Sequence, residues 1–148
     1  MAHDAAHHDD HDHADAGHGH ESHDPVVFRI ARQDRPGGAR YWQSFEVPHV
    51  PGMNVISALQ WIAAHPTPIG GDAPTTPVVW DCNCLEEVCG ACTMLVNGRV
   101  RQACTALVDN IDRTDAGEIE LEPMTKYPVV RDLIFNRPRS FRGLERVN

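Results

Sequence analysis

No stretch of this sequence approaches the roughly 20 consecutive apolar residues that a membrane-spanning helix needs, so no direct membrane span is expected. The first 24 residues hold no Lys or Arg and no apolar centre, the opposite of a secretory signal peptide. A chain made and kept in the cytosol is the expectation. The near-neutral body of the chain does not look like a nucleic-acid-binding surface, which needs an excess of clustered Lys and Arg. Candidate general acids, bases and nucleophiles lack partners at a telling spacing, so no substrate site is expected. Even the net charge of −8 is largely missing from the body of the chain. Seven acids (Asp4, Asp9, Asp10, Asp12, Asp15, Glu21, Asp24) lie in residues 1–24 and leave −1 for the other 124 residues. The low charge therefore says little about partners.

What is present fits one domain with accessories: 148 residues, 41% hydrophobic and 23% charged. Residues 1–24 carry eight His among Asp, Ala and Gly. A segment so poor in apolar residues cannot offset its ordering entropy, so it is expected to be disordered. Its imidazoles could scavenge metal; the competing reading is a solvated tail, favoured because the repeats lack a fixed ligand geometry. Order is expected from Pro25. Val26, Phe28 and Ile30 alternate with their neighbours in a strand pattern, as do Tyr41, Gln43, Phe45 and Val47, and Pro36-Gly37-Gly38 between them marks a hairpin turn. Asn54 is placed to cap a helix over about residues 55–64, with Val55, Leu59, Ile62 and Ala63 on its buried face. Residues 66–77 read as a loop, and Val78-Val79-Trp80 as a short strand. Thr93–Val96 and Arg99–Ala103 flank Asn97-Gly98, a strong two-residue hairpin signal. Ile119 and Leu121 close the pattern. Two hairpins, one helix and a last strand predict an α+β domain over residues 25–122. In residues 123–148, Pro128 is placed to start a helix, with Val129, Leu133 and Ile134 as its stripe and Phe141, Leu144 and Val147 continuing it. These residues either pack back on the domain or dock on something else; the second is the expectation.

Five cysteines are an odd number, and four of them lie within residues 82–92. In a cytosolic protein such crowding points to metal or redox chemistry rather than structural disulfides. Four residues separate Cys84 from Cys89, two separate Cys89 from Cys92, and eleven separate Cys92 from Cys104. The first three match the plant-type C-x4-C-x2-C spacing of a 2Fe-2S cluster. Each iron needs two thiolates beside the bridging sulfides; one loop supplies three, and the far arm of the Asn97-Gly98 hairpin supplies Cys104. Gly90 suits a backbone that must approach the sulfides closely, where a side chain would obstruct. Zinc sites usually pair two short knuckles, and only Cys89 and Cys92 make one. A thioredoxin-like use of those two would leave Cys84 and Cys104 unexplained. Cys82 in place of Cys84 would break the spacing, so it is expected to be a free thiol. Trp80 is expected in the core or shielding the cluster, and His49 and His65 in loops without a role.

Cys84-Leu85-Glu86-Glu87-Val88-Cys89-Gly90-Ala91-Cys92, with Cys104 after the hairpin, resembles the N-terminal ferredoxin domain of succinate dehydrogenase/fumarate reductase iron–sulfur subunits. Val55-Ile56-Ser57-Ala58-Leu59, Glu122-Pro123-Met124 and Tyr127-Pro128-Val129-Val130-Arg131-Asp132-Leu133 extend the likeness over about residues 25–148. The resemblance implies a β-grasp fold and single-electron relay from a flavin towards quinone. It implies a flavoprotein partner with covalent or tightly bound FAD, and membrane-anchor, quinone-binding subunits. It also implies a peripheral place on the cytoplasmic face of the inner membrane, and no catalysis by this chain alone. Molybdenum hydroxylases share the cysteine pattern, but not the Pro-Val-Val-Arg-Asp-Leu stretch. A free-standing ferredoxin is a further alternative, disfavoured by the near-neutral domain. The family continues into a half that carries 4Fe-4S and 3Fe-4S clusters, for which no cysteine follows Cys104.

Overall fold

Val26, Phe28 and Ile30 are buried while Val27 and Arg29 between them are half-exposed, and this alternation forms strand β1 (His23–Arg32). The structure, a computed structural model, describes residues 23–144. Pairing starts at His23, opposite His49, two residues before the expected onset at Pro25. The expectations for residues 1–22 and for Val147 lie outside the described residues, as do the side chains of Phe141 and Leu144.

β2 (Tyr41–His49) returns antiparallel to β1 across the Pro36-Gly37-Gly38 turn and puts Phe45 and Val47 on the same buried face. Helix α1 (Val55–Ala64) starts where expected, because Asn54 Oδ1 accepts from the Ser57 N–H at 2.9 Å. Ile56 and Ala58 are buried with Val55, Leu59 and Ile62, whereas Ala63 is only half-buried. β3 (Thr93–Val96) and β4 (Arg99–Gln102) form the second hairpin. Its turn has φ of 47° at Asn97 and 72° at Gly98, both left-handed as a tight hairpin requires. β5 (Glu118–Glu122) then runs parallel to β1 and antiparallel to β3. The sheet order is β2-β1-β5-β3-β4, the mixed α+β sheet of a β-grasp domain. Phe28, Phe45, Leu59, Ile62, Met94, Ile119 and Leu121 fill the core. Each such side chain contributes about 1.5–3 kcal/mol by leaving water.

Two expected elements are corrected. Val78-Val79-Trp80 is not a strand. The Val79 N–H donates to Asp132 Oδ2 at 3.1 Å and its carbonyl accepts from the Leu133 N–H at 3.2 Å, so its backbone is satisfied without a longer ladder. Pro128 does not start a helix. β6 (Val129–Arg131) and β7 (Ile134–Phe135) form a small antiparallel pair, and α2 (Arg137–Leu144) follows. The turn between β6 and β7 needs Asp132 at φ 43°, a region that Asp tolerates better than most residues. The hairpin packs back on the domain, against expectation. Leu133 joins the core, and Asp132 is buried against Arg32, with Arg32 Nε donating to Asp132 Oδ1 at 2.9 Å. The core thus reaches past the expected boundary at Glu122.

Candidate metal centre

The register of the β3–β4 hairpin does the first part of the assembly. Thr93 pairs with Gln102 at its open end, so Cys92 and Cys104, just outside that pair, fall side by side. The Ala103 N–H donates to the Cys92 carbonyl at 3.2 Å. Both thiols are buried, at 3% and 5% exposure. Burial pushes the Cys92 thiol up; the neighbouring Cys104 backbone N–H opposes this, and the Cys104 side chain adds to it.

The loop before β3 makes the second pair. Leu85, Glu87 and Gly90 have φ of 61°, 57° and 64°, and this repeated left-handed winding turns successive amides inward, as in an anion-binding nest. Cys84 Sγ accepts from the N–H groups of Glu86 at 3.4 Å and Cys89 at 3.3 Å. Cys89 Sγ accepts from those of Cys84 at 3.5 Å and Ala91 at 3.4 Å. Backbone donation, from Glu86 first and then Cys89 and Val88, lowers the Cys84 thiol to about 7. Hydrogen bonds favour the charged form of an acceptor, so these amides shift the Cys84 thiol towards thiolate.

Among the described residues no three His, Cys, Asp or Glu side chains gather around one ion position. The four cysteines stand as two pairs, Cys84 with Cys89 and Cys92 with Cys104, joined by Gly90-Ala91. Two thiolates per iron is the demand of a binuclear iron–sulfur centre, and amides on sulfur are a recognised means of tuning one. The donor set therefore fits a 2Fe-2S cluster.

Gly90 also has a conformational reason of its own. A Cβ there would meet only Thr93 Oγ1 at 3.6 Å and Arg137 Nη2 at 3.8 Å, which are ordinary contacts. Its φ of 64° is what the protein itself demands of this residue. Cys82 is exposed and takes no part in these sulfur hydrogen bonds. Trp80 packs against the core, and its indole N–H is buried with no partner among the described residues. His49 ends β2 rather than lying in a loop, and its Nε2 meets Asp109 Oδ1 at 2.6 Å. His65 stacks on Trp61 beyond α1.

Three side chains that the sequence did not single out as part of the site hold it in place. Asn54, besides capping α1, donates through Nδ2 to the Cys104 carbonyl at 2.9 Å. Gln102 Nε2 donates to the Glu87 carbonyl at 3.3 Å. Arg137 Nη2 donates to the Cys89 carbonyl at 2.8 Å. Only the cap signal of Asn54 was visible in sequence.

Known proteins bear out the resemblance. The chain is 50% identical over 122 residues to the succinate dehydrogenase iron-sulfur subunit of Bacillus subtilis, covering 82% of this chain and 46% of that protein. It is 32% identical over 114 residues to the fumarate reductase iron-sulfur subunit of Mycobacterium tuberculosis, covering 75% of this chain and 41% of that protein. It therefore spans less than half the length of either relative. A chain of the Mycobacterium smegmatis Sdh1 complex in the apo form shares the fold, with a TM-score of 0.63 at 23% identity over 82% of this chain and 46% of that one. Residues 27–142 match the family described as "2Fe-2S iron-sulfur cluster binding domain". The chain belongs to that family, and its cofactor is a 2Fe-2S cluster.

Proposed function

We propose that this chain is the electron-relay portion of an iron–sulfur subunit of the succinate dehydrogenase/fumarate reductase type, with Cys84, Cys89, Cys92 and Cys104 as the cluster ligands. When bound, the cluster supplies reversible one-electron redox chemistry. The chain's own residues hold and tune it. Amides of Cys84, Glu86, Cys89 and Ala91 stabilise sulfur charge, and core burial keeps water from Cys92 and Cys104. The chain performs no bond-making chemistry alone. Its partner is a flavoprotein subunit with bound FAD, and the ligand loop offers it an apolar edge in Leu85 and Val88, exposed by 51% and 80%. No helix among the described residues is long and apolar enough to cross a membrane. Attachment to the cytoplasmic face of the inner membrane would therefore run through membrane-anchor, quinone-binding subunits.

The observation that carries this reading is the arrangement of the four thiols as two backbone-supported pairs. It is tested by acid-labile sulfide and EPR on anaerobically prepared full-length chain. Sulfide is the decisive count, because the eight imidazoles before Asp24 can bind stray iron. Two sulfides per chain and a spin-half signal on reduction are expected; absence of sulfide refutes the cluster. Copurification with a flavoprotein is expected in the second experiment, and a chain that purifies as a free monomer speaks for a ferredoxin shuttle instead.

A further inference from the structure

The C-terminal segment touches the ligand loop with a positive charge. After β7, Asn136 is pinned by its N–H donating to the Pro128 carbonyl at 2.9 Å. Phe135 stacks on Tyr127 with centroids 5.3 Å apart. These contacts fix the start of α2, where Arg137 is the first residue. Its guanidinium lies in a shallow depression shared with Cys89, Gly90 and Thr93 on the loop side and Tyr127 and Phe135 on the hairpin side. Nη2 donates to the Cys89 carbonyl at 2.8 Å.

We propose that Arg137 is a positioning residue that raises the reduction potential of the cluster. This rests on the reading of Cys89 as a ligand. Two effects act together. Four thiolates and two sulfides bring more negative charge than two irons cancel, and reduction adds one more negative charge. A fixed guanidinium next to the loop favours the more negative state. Arg137 is half-buried, so solvent and salt screen it less than a surface charge. The hydrogen bond also fixes the plane of the Cys89–Gly90 peptide, and so the direction of the Gly90 N–H, which lies opposite the carbonyl in a trans peptide. Glu86 and Glu87, exposed on the same loop, act in the opposite sense. The potential would therefore depend on a residue that lies 48 positions after the ligand it touches.

The test is an EPR-monitored redox titration of the full-length chain with dithionite as electron source, comparing wild type, Arg137→Gln, Arg137→Lys and Arg139→Gln. Glutamine carries no charge and is two bonds too short to reach the Cys89 carbonyl as Nη2 does, so the lysine variant separates the charge from the contact. Arg139 is exposed and serves as a control for net charge. The expected result for Arg137→Gln is a shift of about tenfold towards the oxidised form, about 59 mV for a one-electron couple. Arg137→Lys should recover most of the shift, and Arg139→Gln should leave the potential unchanged. An unaltered potential in Arg137→Gln overturns the proposal. So does an equal shift in Arg139→Gln, which would make the effect one of net charge. Loss of the cluster from Arg137→Gln also overturns it, since Arg137 would then be a strut. Absence of sulfide and EPR signal in the wild type refutes the cluster reading itself, a result distinct from the other three.

Discussion

Replacing Asp132 by Asn isolates the charge in a fully buried ion pair. Asp132 and Arg32 are both fully buried. The carboxylate accepts from Arg32 Nε at 2.9 Å, the Gln33 N–H at 3.1 Å and the Val79 N–H at 3.1 Å. Asn keeps the shape and tolerates the left-handed φ of 43° at this turn. It leaves the Arg32 guanidinium buried without its counter-charge. It also turns an NH2 group towards either Val79 or Gln33, each of which donates to the native carboxylate. Breaking one partner of a buried pair costs about 3–5 kcal/mol. At about 3–6 °C per kcal/mol for a domain of this size, the melting temperature should fall by about 9–30 °C. Urea unfolding of the cluster-loaded chain, followed by far-UV circular dichroism, measures this as a lower midpoint with unchanged slope. Combining Arg32→Met with Asp132→Asn should cost less than the sum of the two single variants, because no unpaired charge remains while Asn keeps the left-handed turn. A loss below about 1 kcal/mol for Asp132→Asn, or strict additivity in the double variant, would refute the reasoning.

Three further outcomes test the site and its supports. Cys104→Ser should abolish the visible and EPR signals of the cluster, whereas Cys82→Ser should retain both. Asn54→Ala removes a helix cap and the contact to the Cys104 carbonyl; it should cost about 1–2 kcal/mol in urea unfolding and shorten the lifetime of the cluster in air. Leu133→Ala should cost about 2–5 kcal/mol as a core truncation, and a cost near zero would mean that the C-terminal hairpin contributes nothing to the domain.

Local chemistry was legible in the sequence, and long-range pairing was not. The Asn54 cap, the α1 stripe, the Asn97-Gly98 turn and the cysteine spacing each lie within a short window, where a residue's preference acts on its own neighbourhood. The parallel pairing of β1 with β5 joins Val27 to Glu118, 91 positions away, and no periodicity encodes such a partner. The C-terminal misreading has a specific cause. Pro128 is as compatible with extended chain as with a helix start, and Val129, Leu133 and Ile134 fit a helical stripe as well as a short hairpin. What decides is Asp132 in a left-handed turn, held there by a guanidinium 100 positions earlier.

That buried pair also explains why the hairpin belongs with the cysteine site. Asp132 grips Val79, and Leu133 grips it again from the other side. Val79 opens the segment that leads into Cys84. Arg137, five residues beyond Asp132, then reaches the carbonyl of Cys89. The ligand loop is thus held near its entry by Asp132 and Leu133 and between two cysteines by Arg137. Asn54 and the β3–β4 register hold Cys104. Short cysteine spacing suffices to name a cluster type, but thiols on a loop alone would be free to spread apart. The residues that keep them together come from β1, from the start of α1 and from the chain after β5, so the geometry of the site is a property of the whole domain.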